Sequence, residues 1–527
     1  MSTTTVTRVA RVRDEALPGI LRERAGFVLE RALPVLDGEH AYEAIEGPVR
    51  FYRRVVQANP CGDGTTVVEQ RVEYTLTAPL IAGLLSVPAR RHLGAVRAQD
   101  RAPWWGPPDV LDRNAWAALG ALLLLAAVIG YLGTLLTQTI TYSAKEFHKG
   151  TAAEGVALAV VRCDIVLSLG LVALADRRGR RLIALGGAAV GCVLTALGAF
   201  APSLPWLAAS QVVARGFVTA ATIAAGVLAA EIMPKGARAW ALGMGAMAGA
   251  LGAGTAVVLL PLAGIDVRAW RLLYLVGLAW VAAVAVAARH LPESQRFLVH
   301  HQAGDRASIR RSRLGLLAAA SFLLQMFVTP ASEFQNEYLR RERHFSPARI
   351  AAFTMATALP GAIGILAGGR LADTHGRRKV AVVAVGGAAA FAVVAYSLGG
   401  WPMWLAMASA AMTGAAVTPV LTVYGPELFA TSGRGTANGL LTAAGRAGAV
   451  AGLLLIGWVA QSHRGFGTGF AFLALGPVAL VVLIVTAFPE TARRSLEDLN
   501  PEDRVVETLS TARHDAMPHN DAAGSLW

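Results

Sequence analysis

Charge is scarce in this chain. Only 16% of its 527 residues are Asp, Glu, Lys or Arg, against about a quarter in soluble globular domains. That shortage, beside 54% hydrophobic residues, speaks against an ordinary water-soluble enzyme and for an integral membrane protein. Cysteine is scarcer still: Cys61, Cys163 and Cys192 form no CxxC pair and two of them lie inside apolar runs, so neither a disulfide framework nor a metal site is expected. There is no GxxxxGK[ST] loop to cradle nucleotide phosphates, which argues against an ATP-driven pump. HExxH, GxSxG and Cys–His clusters are missing too, so neither an enzyme nor a bound cofactor is expected. The N-terminus, MSTTTVTRVARVRDEALPG, lacks the apolar core of a cleaved signal, and the chain start is expected to stay in the cytoplasm.

Residues 1–113 lack any run long enough to cross a bilayer. GFVLERALPVL reads as a short helix, and VRFYRRVVQANPCGDGTTVVEQRVEYTLTA as two alternating strands joined by a turn at Asn59 to Gly64. PLIAGLLSVPARRHLGAVR follows as a helix broken near Pro88, and APWWGPPD as a Pro-rich linker. Together these predict a small cytoplasmic α+β domain. It resembles the later strands and closing helix of START-like helix-grip domains, which bind apolar ligands, and is shorter than a full one. A structural or regulatory appendage is the other reading.

Long apolar runs fill the rest. A helix needs about 20 residues to cross about 30 Å of hydrocarbon. About twelve such spans are expected, at 116–138, 153–174, 182–201, 205–230, 236–262, 268–289, 314–335, 347–370, 380–399, 402–425, 435–460 and 466–488. The predicted fold is therefore an all-α polytopic membrane protein of twelve transmembrane helices in two six-helix halves, 114–290 and 314–488. A polar connection at 291–313 joins them, and a tail at 489–527 is expected to be disordered over its last twenty residues.

Net charge is +13, but the arginines cluster in short turns between spans, a pattern of topology determinants rather than a nucleic-acid face. With both termini cytoplasmic, the inner turns carry Arg177, Arg178, Arg180 and Arg181, then Lys235 and Arg238, Arg289 to Arg313, Arg377, Arg378 and Lys379, and Arg434, Arg493 and Arg494. The outer turns near 202 and 400 carry no basic residue, as the positive-inside rule expects. One outer turn, YLRRERHFSPAR at 338–349, departs from it. A multi-pass protein of the cell membrane is the expected location.

The turn VALADRRGRR at 172–181 returns as GRLADTHGRRK at 369–379, with Asp176, Gly179 and Arg180 falling 197 residues before Asp373, Gly376 and Arg377. A second motif repeats almost in step: Glu231, Arg238 and Gly243 lie 196 residues before Glu427, Arg434 and Gly439. Two motifs at nearly one offset imply a duplicated six-span unit, an arrangement found in secondary transporters. These turns resemble the loop pattern between the second and third helices of each half in the major facilitator superfamily, with Val172 in place of a glycine. LPESQRF and FPETARRSLEDL resemble the PES and PET segments of its sugar-porter-like branch. The resemblance covers roughly 114–500.

That resemblance implies a cytoplasmic gate of Asp176, Gly179, Arg180, Arg181, Asp373, Gly376, Arg377 and Arg378, made in one access state and broken in the other. Physically, such an aspartate can accept the free N–H groups that open a neighbouring helix, and the arginines can reach lipid phosphates or carboxylates of the other half. Glu231 with Arg238, and Glu427 with Arg434, either bridge to these turns or cap locally. Where Gly369 stands in the second copy, Val172 predicts a looser helix contact in the first.

Ionisable groups near mid-bilayer mark pathways or partners. Arg215, about ten residues into its span and so near the midplane, Arg446, and the pair Arg162 and Asp164 are candidates. An arginine in the fourth span also occurs in proton-coupled relatives; on that basis Arg215 is expected to tune Asp164, which would carry the coupling proton. Structural pairing alone is the other reading. Glu333 and Glu337 sit near the outer end of the seventh span. That span offers Gln325 alone at depth, with Gln335 and Asn336 near the exit, a departure from the Gln pair and Asn of sugar carriers. Three deep arginines would suit an organic anion, or be neutralised by the protein's own acids. The leading expectation is a secondary transporter of a small solute by alternating access, coupled to a proton or another ion. A lipid-handling protein or a transporter-like sensor acting through residues 1–113 are the alternatives.

Overall fold

In the computed structural model, which describes residues 3–34, 39–76, 79–100, 102–149, 151–303, 309–461 and 465–503, alternating apolar residues near the N-terminus lay down five strands. They are β1 (Thr4–Arg13), β2 (Leu29–Ala32), β3 (His40–Glu46), β4 (Val49–Pro60) and β5 (Thr65–Leu76), antiparallel throughout, in the order β1-β5-β4-β3-β2. The β4–β5 hairpin turns through Gly62 and Gly64 at positive φ. Val56, Val68 and Val72 share its buried face, as period-two alternation requires.

GFVLERALPVL is not the expected helix: its described part forms β2. Glu30 is drawn into the sheet interior, where its carboxylate accepts hydrogen bonds from Arg54 (2.6 Å) and Tyr52 (2.5 Å), and the strand pairs with β3. Arg54 spends its other donors on the carbonyls of Ile20 (3.1 Å) and Arg22 (2.9 Å). A buried charge so satisfied costs more to extract than a short helix returns by propensity. The next helix, Pro79–Leu93, runs through Pro88 without the expected break. Proline there removes one backbone bond, and Ala89 and Leu93, buried against Val72 and Tyr74, hold the last turn in place.

Eleven helices long and apolar enough to cross a membrane follow among the described residues: Arg113–Glu146, Arg180–Phe200, Leu204–Ile232, Arg238–Ala263, Trp270–His290, Arg311–Glu333, Ala352–His375, Arg377–Ser397, Gly400–Leu428, Thr431–Ile456 and Phe466–Ala487. The remaining expected span, the second, is two shorter helices, Thr151–Val161 and Asp164–Arg178, interrupted at Arg162 and Cys163. The interruption frees the Arg162 carbonyl, which accepts from Arg446 Nη1 at 3.1 Å. Broken helices at membrane depth persist where side chains re-satisfy the backbone in this way.

Within each half the same crossing recurs, made by small residues. Gly130 and Gly252 bring the first and fifth spans together against the backbone of Gly249 and Ala127, and Gly448 and Gly452 do so for the seventh and eleventh against Phe322 and Met326. A Cβ at any of these four would strike a carbonyl, and backbone cannot step aside as a side chain can. Gly252→Leu and Gly448→Leu are each expected to cut the yield of monodisperse protein in detergent severely, whereas Gly254→Leu, where a Cβ meets open space, leaves it near wild type.

The basic segment at 338–349 lies at the same end as the turn near 398. Helix Gln335–Arg341 is followed by Ser346, which caps Pro347–His375. Arg343 donates to the Tyr338 hydroxyl (2.7 Å) and to Leu398 O (2.7 Å), and Arg349 lies 4.1 Å from the Phe345 ring centroid. These cations are tied into turns, so they act as local caps where the positive-inside rule would count them as free charge. The expected disorder of the last twenty residues lies outside the described residues.

Candidate functional site

One end of the bundle gathers the charge. Gly179 and Gly376, between the second and third and the eighth and ninth spans, take φ of 112° and 100°, closed to most L-residues. The helices they open are capped by carboxylates from far along the chain. Glu293 accepts from the N–H of Arg180 (3.2 Å) and Arg181 (3.1 Å), and Glu490 from that of Arg377 (2.9 Å) and Arg378 (3.1 Å), each neutralising a positive helix end. Glu293 and Glu490 escaped selection as site residues. They belong to the PES and PET segments and lie 197 residues apart, the offset of the two aspartates, and that shared offset is the signal that finds them.

Around these turns the two halves pair crosswise. Glu231 pairs with Arg434 of the other half, with Arg180 at 3.8 Å. Its counterpart Glu427 pairs with Arg238 of the other half at 3.2 Å, and with Arg377. Neither glutamate takes the arginine seven residues after it, and Arg434 Nε also donates locally, to Phe429 O at 3.0 Å. Asp176 accepts from the N–H groups of Gly435 (3.0 Å) and Thr436 (2.7 Å) and from the Thr436 hydroxyl (2.8 Å). Asp373 accepts from the Trp240 N–H (3.0 Å) and from Arg377 (3.0 Å). Arg180 also donates to Thr431 O across the divide, while Arg181 stays in its own half, on Ala288 O (2.8 Å) and Leu291 O (2.7 Å). The carboxylates and arginines of the crosswise pairs are buried, yet Arg180 Nη1 and Arg238 Nε find no acceptor among the described residues. Buried donors left over in this way make the closed network shallow rather than deep.

The copies differ where the sequence differs. A Cβ at Gly369 would stand 2.8 Å from Ala239 O and 2.9 Å from Trp240 Cα, whereas Val172 faces the ideal Cβ position of Gly439 at 3.8 Å. The eighth and fifth spans thus meet backbone to backbone, and the second and eleventh through a side chain.

Deeper, Asp164 is 2% exposed and makes an ion pair with Arg446. Arg446 Nη2 adds bonds to Asp164 Oδ2 (3.1 Å) and Thr219 Oγ1 (3.3 Å), and the Thr219 hydroxyl donates to Asp164 Oδ2 (2.8 Å). Arg215, expected to tune Asp164, donates to Gly133 O at 2.9 Å and acts on the carboxylate through space rather than through a hydrogen bond. The break in the second span directs the carboxylate to the eleventh span instead. Arg162 pairs separately with Glu333 at 2.9 Å, both half exposed. The Glu337 side chain lies outside the described residues. Arg162, Gln325 and Arg446 all line a cavity of about 680 Å³ between the halves, with Asp164 set behind Arg446.

The N-terminal unit sits on the charged end and touches both halves. Phe27 meets His92, Trp105 and Trp116 edge to face, and Trp116 meets Trp240 at 6.0 Å between centroids. Burial, then the Arg97 charge, pushes His92 down to about 4, so it packs as a neutral ring. Trp240 Nε1 donates to Trp105 O at 3.1 Å. From the second half, Arg370 reaches back to the same linker, to Gly106 O (2.6 Å) and Ala102 O (3.3 Å).

Residues 314–517 match the family described as Major Facilitator Superfamily, and residues 116–315 that described as Sugar (and other) transporter. No curated protein matches the sequence. Among solved structures, the proton:xylose symporter XylE bound to 6-bromo-6-deoxy-D-glucose aligns at TM-score 0.63 and 15% identity, over 74% of this chain and 98% of that one. The human organic anion transporter MFSD10 aligns at 0.57 and 16%, over 70% and 99%. The transporter FucP in its outward conformation aligns at 0.59 and 14%, over 71% and 100%. At such identities the structures establish likeness of fold.

Proposed function

The chain is a sugar-porter-like member of the major facilitator superfamily, and from that premise we propose that it is a secondary transporter that moves a small organic solute across the cell membrane by alternating access, coupled to a proton, with both termini in the cytoplasm. The observation that carries this reading is the crosswise pairing of Glu231 with Arg434 and Glu427 with Arg238 beside a cavity lined by both halves. Breaking those pairs separates the halves at the charged end; forming them closes it. Asp164 is the proton carrier in this reading, because its ion-pair partner, Arg446, lines the cavity and is within reach of a solute. Reconstituted in proteoliposomes, the protein is expected to take up solute faster when an inward-directed proton gradient is imposed. Uptake indifferent to that gradient would remove the proton from the cycle.

A regulatory role for residues 1–113 is favoured by the linker at 102–106, held at once by Trp240 of one half and Arg370 of the other. Opening the charged end must stretch or release that brace. In this reading the domain biases the protein toward the closed end, and a ligand or partner that shifts the domain tunes transport rate. Arg370→Ala is expected to lower hydrogen-exchange protection over 102–112 and to change the transport rate several-fold, without loss of insertion. Unchanged protection and unchanged rate would leave the domain an appendage.

A further inference from the structure

The cavity wall is cationic and otherwise mostly apolar. Its only charged residues are Arg162 and Arg446, and no Asp, Glu, Lys or His joins them among the described residues. Phe488 is its single aromatic among the described residues, and Leu, Ile, Val, Ala and Gly make up most of the rest. A buried sugar needs a partner for each of its hydroxyls, since an unmatched buried polar group is penalised in full. An organic cation needs a carboxylate or an aromatic face. The wall does carry hydroxyls and amides, but Thr222, Thr422, Thr442 and Asn438 already donate to carbonyls of their own helices, which takes those donors from a sugar, and it offers a cation no carboxylate. A guanidinium does recognise a carboxylate through two parallel N–H bonds, and the apolar remainder suits an aliphatic or aromatic body.

Resting on the transport reading above, we infer that the solute is an organic monoanion with an apolar body, its carboxylate taken by Arg446 with Arg162 nearby, in exchange for Asp164. Asp164 and the solute compete for one guanidinium. While ionised, Asp164 holds both Nη1 and Nη2 of Arg446. A proton added to an Asp164 oxygen removes that carboxylate's charge, and the Arg446 fork becomes available to the incoming anion. Loss of the same proton on the other side restores the ion pair and displaces the anion. One proton and one monoanion therefore travel together, and no net charge crosses the membrane.

The test uses the full-length protein in proteoliposomes with octanoate, benzoate, benzamide, glucose and tetraethylammonium as probes, and the same probes in detergent for ligand-induced thermal stabilisation. Counted as the excess over protein-free liposomes, which the protonated acids also cross, octanoate or benzoate is expected to enter on a pH gradient at about tenfold or more over benzamide and glucose, with no response to a potassium-diffusion potential. In Arg446→Gln both uptake and stabilisation by carboxylates are lost. Because that variant leaves a buried carboxylate unpaired, the double variant Arg446→Gln with Asp164→Asn is measured beside it; it is expected to fold and to ignore carboxylates. Preferred uptake of glucose, benzamide or tetraethylammonium overturns the substrate class and leaves transport standing. Carboxylates that stabilise the wild type through Arg446 yet never cross leave the binding site standing and overturn transport. No probe bound and none moved by well-reconstituted protein overturns both, and carboxylate uptake that follows the membrane potential overturns the one-to-one cotransport.

Discussion

Asp164→Asn is expected to abolish concentrative uptake while sparing exchange. The asparagine keeps the size of the side chain and an acceptor for Thr219, and Arg446 retains Arg162 O as a neutral acceptor at 3.1 Å, so the fold survives. What disappears is the group that gains and loses a proton while exchanging Arg446 with the cavity. Without it the two access states interconvert with solute alone, and a pH gradient has nothing to act on. Accumulation against a gradient should fall by about tenfold or more, with counterflow of pre-loaded solute near the wild-type rate. Arg215→Gln, which touches Gly133 O and not the carboxylate, should be milder in accumulation. A protein carrying Asp164→Asn that still concentrates solute on a pH gradient would take Asp164 out of the proton path.

The second large effect is at the charged end. Glu427→Gln leaves the buried Arg238 and Arg377 facing each other without a full negative charge between them, and Glu231→Gln does the same to Arg180 and Arg434. Removing one partner from a buried ion pair costs about 3–5 kcal/mol. That loss falls on the closed arrangement, because in the open one the arginines reach water. A shift of that size moves an equilibrium between access states by more than about a hundredfold. A cysteine placed at the buried Thr431 should then react with maleimide rapidly in either glutamine variant and slowly in the parent; equal rates would show that these pairs do not hold the end shut. The aspartates are expected to act in the same direction, less strongly and unequally. Asp176 accepts three bonds from the opposite half and Asp373 fewer, from the backbone of Trp240 and Ala239, so Asp176→Asn should open the end further than Asp373→Asn and slow transport more, with insertion intact.

Much of this site is legible from residue order because a duplicated unit repeats its chemistry at one offset. Asp176 with Asp373 and Arg180 with Arg377 announce themselves that way, and so would Glu293 and Glu490, whose helix-capping role follows from the same spacing. Local patterning served less well at the N-terminus. Glu30 inside GFVLERALPVL looks like a helix-face residue until its partners, Arg54 and Tyr52, arrive from β4 more than twenty residues on. The second span reads as one continuous helix, and the break at Arg162 and Cys163, which turns Asp164 toward Arg446, is not visible in residue order.

What the sequence by itself determined is what short range can determine: where the apolar runs lie, that the six-span unit occurs twice, and which few ionisable groups lie among them. Hydrocarbon thickness and the helical rise make span length a local quantity. Which glutamate meets which arginine, where the second span breaks, and how the N-terminal sheet comes to rest on Trp240 and Arg370 were decided only by the tertiary structure. Those partners lie from twenty-odd to nearly three hundred residues apart, and desolvated charge goes to whichever counter-charge the packed halves bring within reach.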